Sequence, residues 1–509
     1  MELIVIPAFI QQPTLRNTTF DAGSLLIILI EKVAMKLNLS IISLFFACFI
    51  SPVTKAQLKL PYFFSDNMVL QQQARVNIWG WDKAGKSIKV SGSWSKQTVT
   101  TTTDKEGKWK LQLSTSKAGG PYTLTINDGK KVTLHNVLLG EVWVCSGQSN
   151  MEMQMKGFKN TPIIGSNDAI LNSTNKNIRL FMVPRSPAPT VRDTCKASQW
   201  NEAGPEFVGN FSAVGYYFGK ELNKVLDVPV GLICSSYGGS PVEAFMSNEN
   251  LQSYKEIQLP VYADTTKVNN HTPTSLFNGM INPLFGFNIK GCIWYQGESN
   301  NGKPDLYEQL FPAMVKEWRS KWESGEFPFY YVQIAPYEYS ANSFRANEKS
   351  NSAYLRDAQR KDLSIIPNSG MAVIMDLGEA RNIHPRYKVE VGNRLALLAL
   401  GKTYGLKGFE STSPFFDSLH IDGNTVTVHF KNVSNGLTSF GKEITSFEVA
   451  GVNKNFYPAT AAIINNGVIL SSLEVKHPVA VRYAFKDFVV GELFNTEGLP
   501  ASSFRTDDW

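Results

Sequence analysis

Disulfide chemistry, low-complexity tracts and long charge runs are all missing from this sequence. Five cysteines in 509 residues are too few for a disulfide framework, and none forms a Cys-x-x-Cys pair that would seed a structural zinc site. Fifty Lys and Arg against 44 Asp and Glu leave a charge of +6, spread without a basic run, so nucleic acid is a poor match as partner. The 25 prolines and 38 glycines carry no collagen period. What remains is globular usage, 43% hydrophobic, 12% aromatic and 18% charged. At roughly 100–200 residues per domain, the length predicts about three units.

Residues 1–56 read as a leader. Met35-Lys36 is followed by an apolar stretch, Leu37 to Ile50, and by small residues before Gln57. That is secretory-signal grammar, and the apolar centre is shorter than the ~20 residues a membrane-spanning helix needs. Translation is expected to begin at Met35, and a lipoprotein reading through Cys48 is disfavoured by the bulky Phe45-Phe46 before it. The expected location is outside the cell or in the periplasm, with no transmembrane helix in the mature chain. Cys145, Cys195, Cys234 and Cys292 lie beyond the leader, mostly in apolar runs, and read as buried free thiols.

Residues 57–138 alternate like short strands, for example Val76–Trp81 and Trp109–Leu113, with glycine turns between them, and predict a β-sandwich. From 139 to 402 compact apolar runs alternate with helical patterns. Glu141–Cys145, Pro229–Cys234, Gly291–Tyr295 and Gly370–Met375 each end in a polar turn. Helices are expected over Ser212–Leu226, Pro304–Trp322 and Pro385–Leu400. This predicts an α/β unit, a parallel sheet with helices on both faces. Residues 403–509 return to β texture and predict a C-terminal β-rich region.

Ligands of open parallel sheets bind beyond the carboxyl ends of the strands. Ser149 lies in such a turn, Ser146 to Asn150, where a nucleophile would meet a helix N-terminus. A helix cap is the alternative use of such a serine. The turn is not a G-x-S-x-G elbow, because Met151 replaces the last glycine.

Gly147-Gln148-Ser149-Asn150-Met151 resembles the first block of SGNH-type carbohydrate esterases, and Gly140–Ser146 is similar to their sialate O-acetylesterase branch. Phe211–Gly219, Ser235–Pro241, Phe277–Ile281, Trp294–Asn300 and the tail Gly498–Ala501 with Phe504–Thr506 match the same branch. The resemblance runs from about Leu58 to the C-terminus. It implies an SGNH-hydrolase-like fold with Ser149 as nucleophile, Ser146 being the rival. Ile383-His384-Pro385 resembles the block that supplies the base. Among six histidines, His384 alone follows an α/β strand and precedes an expected helix.

Arg381 stands where an aspartate would orient that imidazole, so Asp376 and Glu379 are the nearest acids, and a backbone carbonyl is the other option. The oxyanion donors expected are the Ser149 amide, the backbone at Gly238 and Gly239, and the Gln296 side chain, with Asn300 as fallback. Glu298 is assigned no catalytic role. Trp143, Tyr237, Trp294 and Tyr295 read as core before sugar platforms, and Arg381 and Arg386 as solvated arginines. The resemblance implies O-acetyl removal from sialic acid, with no metal or organic cofactor. Deacetylation of xylan or another polysaccharide is the rival reaction. A non-catalytic carbohydrate-binding protein is the rival of another class.

Overall fold

Strict alternation becomes strand wherever one face must be buried. In the computed structural model, which describes residues 57–509 except 260, 262, 264–266 and 342–350, the expected leader lies outside the described residues. Seven strands open the fold: β1 (Val69–Gln71), β2 (Arg75–Trp81), β3 (Ser87–Gly92), β4 (Thr98–Thr102), β5 (Lys108–Ser114), β6 (Gly119–Asn127) and β7 (Lys131–Gly147). Trp109, Leu111 and Leu113 of β5 point inward while the residues between them face solvent. The antiparallel β2–β5 pair and the sheet of β3, β4, β6, β1 and β7 share a core with Val76, Ile78, Ile88, Val90, Leu124 and Ile126.

Strand β7 does not stop where the sandwich ends. Its first half pairs with β6 and β1, and its second half, Trp143–Gly147, runs between β10 (Val230–Ser236) and β11 (Gly291–Tyr295). With β8 (Asn175–Met182), β9 (Trp200–Ala203), β12 (Phe329–Val332) and β13 (Ser369–Ala372) the order is β13-β12-β11-β7-β10-β8-β9. These pairs are parallel except β8–β9. β10 and β11 are buried throughout, as a sheet covered on both faces requires. Alternate residues serve the two faces: Cys292 and Trp294 join one apolar cluster, Ile293 and Tyr295 the other.

Helices α1 (Ser149–Glu152), α2 (Ala213–Leu226), α3 (Pro304–Trp322), α4 (Ala353–Ile365) and α5 (Lys388–Leu398) are the ones that matter for the site. Ser212 caps α2 by accepting from the Gly215 amide at 3.0 Å, and its hydroxyl also donates to the Met151 carbonyl at 2.6 Å. Helices α2 and α5 pack together on one face of the sheet, α3 and α4 on the other. The helix expected from Pro385 begins only at Lys388, because residues 379–386 form a closed loop first.

After α5 come two four-stranded antiparallel sheets, one built on Phe415–Asp422 and Thr425–Lys431, the other on Phe447–Ala450 and Ala480–Tyr483. Buried Arg356 of α4 joins this region to the α/β unit through the Lys486 carbonyl and the Ser503 hydroxyl. The cysteines at 145, 195, 234 and 292 are buried and unpaired. Among the described residues no helix is long and apolar enough to cross a membrane.

Candidate active site

Ser149 opens α1 at the carboxyl end of β7, in the middle of the parallel sheet. The turn before it admits only glycine. Gly147 has φ +138°, and a Cβ there would sit 2.1 Å from the Tyr295 carbonyl oxygen. Gln148 stitches the turn to the next strand end: its amide donates to the Tyr295 carbonyl at 2.9 Å, and its side-chain oxygen accepts from the Ser299 amide at 3.1 Å. On the other side the Tyr237 amide donates to the Gly147 carbonyl at 3.1 Å. The rival Ser146 is fully buried within β7, and its hydroxyl donates to the Ser235 carbonyl at 2.6 Å. Ser149 is half-buried, and its hydroxyl and amide make no hydrogen bond among the described residues.

His384 lies in the closed loop before α5. Its amide donates to the Asn382 side chain at 3.0 Å, and its ring meets the edge of Phe158 with centroids 5.4 Å apart. Burial, with the nearby Lys388 charge second, pushes the imidazole down to about 4, so it is neutral at neutral pH. Neutral imidazole is the form that accepts a proton. The ring has no hydrogen-bond partner among the described residues. The structure joins the two segments through Asn150, whose amide nitrogen donates to the Ile383 carbonyl at 3.0 Å. Each end of that bond is one residue from Ser149 or His384.

Several expectations are corrected here. Asp376 does not orient the imidazole, because both its oxygens receive Arg394 of α5, at 2.7 and 2.6 Å. Glu379, the other nearby acid, is gripped by Arg386 at 3.0 and 2.7 Å; burial opposes its ionisation, but the arginine hydrogen bonds win and hold it below the usual value. Gln296 is sealed in the interior, where its amide nitrogen donates to the Ser240 carbonyl at 3.2 Å and to Asn300 at 2.7 Å. It braces two strand-end loops and has no donor left for an oxyanion. Asn300 accepts from Gln296 at 2.7 Å and donates one N–H to Glu243 at 2.9 Å. The Gly238 amide is occupied too, donating to Glu152 at 2.8 Å. Gly239, at φ +76°, keeps an amide with no partner among the described residues.

A family model for sialic acid-specific acetylesterases of the carbohydrate esterase class matches residues 139–400. The chain belongs to that family. The sialate O-acetylesterases of Pongo abelii and Homo sapiens are each 32% identical to it over 396 residues, 70% of this chain and 73% of theirs. A solved carbohydrate acetylesterase from Xanthomonas citri is 35% identical, with TM-score 0.81, covering 89% of this chain and all of that one. This protein is thus a carbohydrate ester hydrolase, and acetylated sugars are its substrate class.

The esterase has a cavity of about 530 Å³ lined among others by Glu152 of α1, Phe158, Arg185 and Ser236. Arg185 donates to Glu152 at 2.5 Å and lies 4.7 Å over the ring of Tyr237, which also packs against the core. His271, distant in sequence, also reaches the rim: a Cβ on Gly239 would lie 3.6 Å from its ring. Sequence reasoning missed Lys388. A lysine in the first turn of a helix reads as solvated, yet this one is fully buried, with its ammonium donating to Asn150 and lying 5.5 Å over the Tyr295 ring.

Proposed function

We propose that this esterase is exported by the leader ending near Ala56 and removes O-acetyl groups from sialic acid through a serine acyl-enzyme. The working division is a β-sandwich at 57–138, the esterase unit at 139–402 and the β-rich region at 403–509. The observation that carries the reading is an unengaged Ser149 hydroxyl beside a histidine loop tied to it by Asn150.

Ser149 Oγ attacks the acetyl carbonyl while His384 takes its proton. The oxyanion is met by the amides of Ser149 and Gly239, the two backbone donors left free at this turn. When the intermediate collapses, the bond from the acetyl carbon to the sugar oxygen breaks, and His384 returns its proton to that oxygen so that it leaves as a hydroxyl. Water then attacks the acetyl-serine with His384 as base, releasing acetate and restoring both groups. No carboxylate hydrogen-bonds the imidazole among the described residues, so this reading is a Ser–His dyad. The names of the relatives support sialic acid as the sugar.

The test is acetate release by Gln57–Trp509 from O-acetylated sialic acid and from acetylated xylan. Sialate turnover lost at least ~10³-fold in Ser149→Ala, with folding intact, is the expected result. A variant that keeps wild-type acetate release removes the serine route, and xylan preferred to sialate removes the substrate.

A further inference from the structure

Between the nucleophile turn and the histidine loop lies a buried polar chain of which the roles above use only the Asn150 tie. Asn150, wholly buried, has each polar group of its side chain engaged. Its nitrogen donates to Glu298 at 2.6 Å and to the Ile383 carbonyl at 3.0 Å, and its oxygen accepts from the Lys388 ammonium. Glu298 is 3% exposed and Lys388 0%. The three come from different elements: α1 after β7, the turn after β11, and the first turn of α5.

Burying two opposite charges costs several kcal/mol per ion unless pairing and hydrogen bonds offset it. An apolar trio would serve the core as well, so packing alone gives no reason for an ammonium here. An amide held between a cation and an anion, however, has one orientation only, oxygen to the lysine and nitrogen to the glutamate. That orientation is the one in which its second N–H reaches the carbonyl preceding His384.

We propose that Lys388 is a positioning residue for catalysis: with Glu298 it clamps the Asn150 amide, and that amide holds the His384 loop in register with Ser149. The inference rests on the Ser149–His384 reading. Burial pushes Lys388 down to about 7 and Glu298 up, each against the attraction of the other. The charged and titratable groups facing Lys388 are Glu298, Glu379 and the Tyr295 ring; His384 in turn faces the Lys388 charge. Lys388 touches neither substrate nor reacting atoms. It acts through Asn150 and through its field at the imidazole.

The test uses Lys388→Met, which keeps length and volume, in the full mature chain. A misaligned base–nucleophile pair costs on the order of 10²-fold in rate. The expectation is therefore a kcat lowered about 10- to 100-fold with KM within about threefold. The acid limb of kcat/KM should move to higher pH, because a cation near the imidazole is gone. NMR titration of His384 in Ser149→Ala protein, with and without Lys388→Met, reads the same shift without turnover.

Asn150→Asp is the second variant, should Lys388→Met fail to fold. It is isosteric but cannot donate to Glu298 or to Ile383, and it should lose at least as much kcat. Unchanged kcat with an unmoved acid limb overturns the proposal. So does a loss that follows melting temperature alone while His384 titrates as before. Either result alongside an inactive Ser149→Ala counts against Lys388 and leaves the serine reading standing.

Discussion

Asp362 on α4 offers a calculation with a sharp outcome. It is fully buried, and neither carboxylate oxygen has a hydrogen-bond partner among the described residues. Burial first, then the nearby Glu308 charge, push it up from 3.8 to about 9, with Lys361 opposing. Between those values the folded chain carries a proton that the unfolded chain has released. Stability from this group is therefore intact below about pH 4 and declines as pH rises towards 9, by about 1.4 kcal/mol per unit. At pH 7 the cost is about 4 kcal/mol. Asp362→Asn removes it but leaves a buried amide unpaired, at about 1–3 kcal/mol. The variant should thus be more stable than wild type by roughly 1–3 kcal/mol at neutral pH. Urea unfolding at pH 5.5 and pH 8 measures the difference. The gap between variant and wild type should widen by about 3–4 kcal/mol across that interval. Parallel curves at both pH values would refute the reasoning.

Other consequences are simpler to state. With the imidazole held near 4, the acid limb of kcat/KM for acetate release should be centred near pH 4; an acid limb centred near 6.5 would mean that His384 is not desolvated in the working enzyme. Gly147→Ala puts a methyl group against the Tyr295 carbonyl at a backbone angle suited to glycine, and should cost more than ~3 kcal/mol in thermal unfolding. A melting temperature within a degree or two of wild type would show that the turn has room to relax.

Much of this architecture is legible in the sequence. The helices expected over Pro304–Trp322 and Ser212–Leu226 are legible because apolar spacing and end chemistry agree there. Helix α4 escaped notice because its buried side carries Arg356, Asp357, Gln359 and Asp362, which no hydrophobic period reveals. Ser149 and His384 are expected from strand-end logic together with the family likeness. Gln296 and Asp376 were misjudged for one shared reason: a residue type announces what it can donate or accept, whereas only the fold decides who takes it. Ser240, Asn300 and Arg394 took them, from residues 4 to 56 positions away. Lys388 was hidden by the opposite error, a charge assumed to face water.

The unbroken course of β7 has a mechanical meaning. The same peptide backbone that closes the sandwich delivers the hydroxyl at 149, so the front module is the upstream half of a beam and cannot be detached like a bead on a string. A splice at 139 would leave the central sheet with a severed middle rib, and grafting another module there would pass its twist directly to the nucleophile.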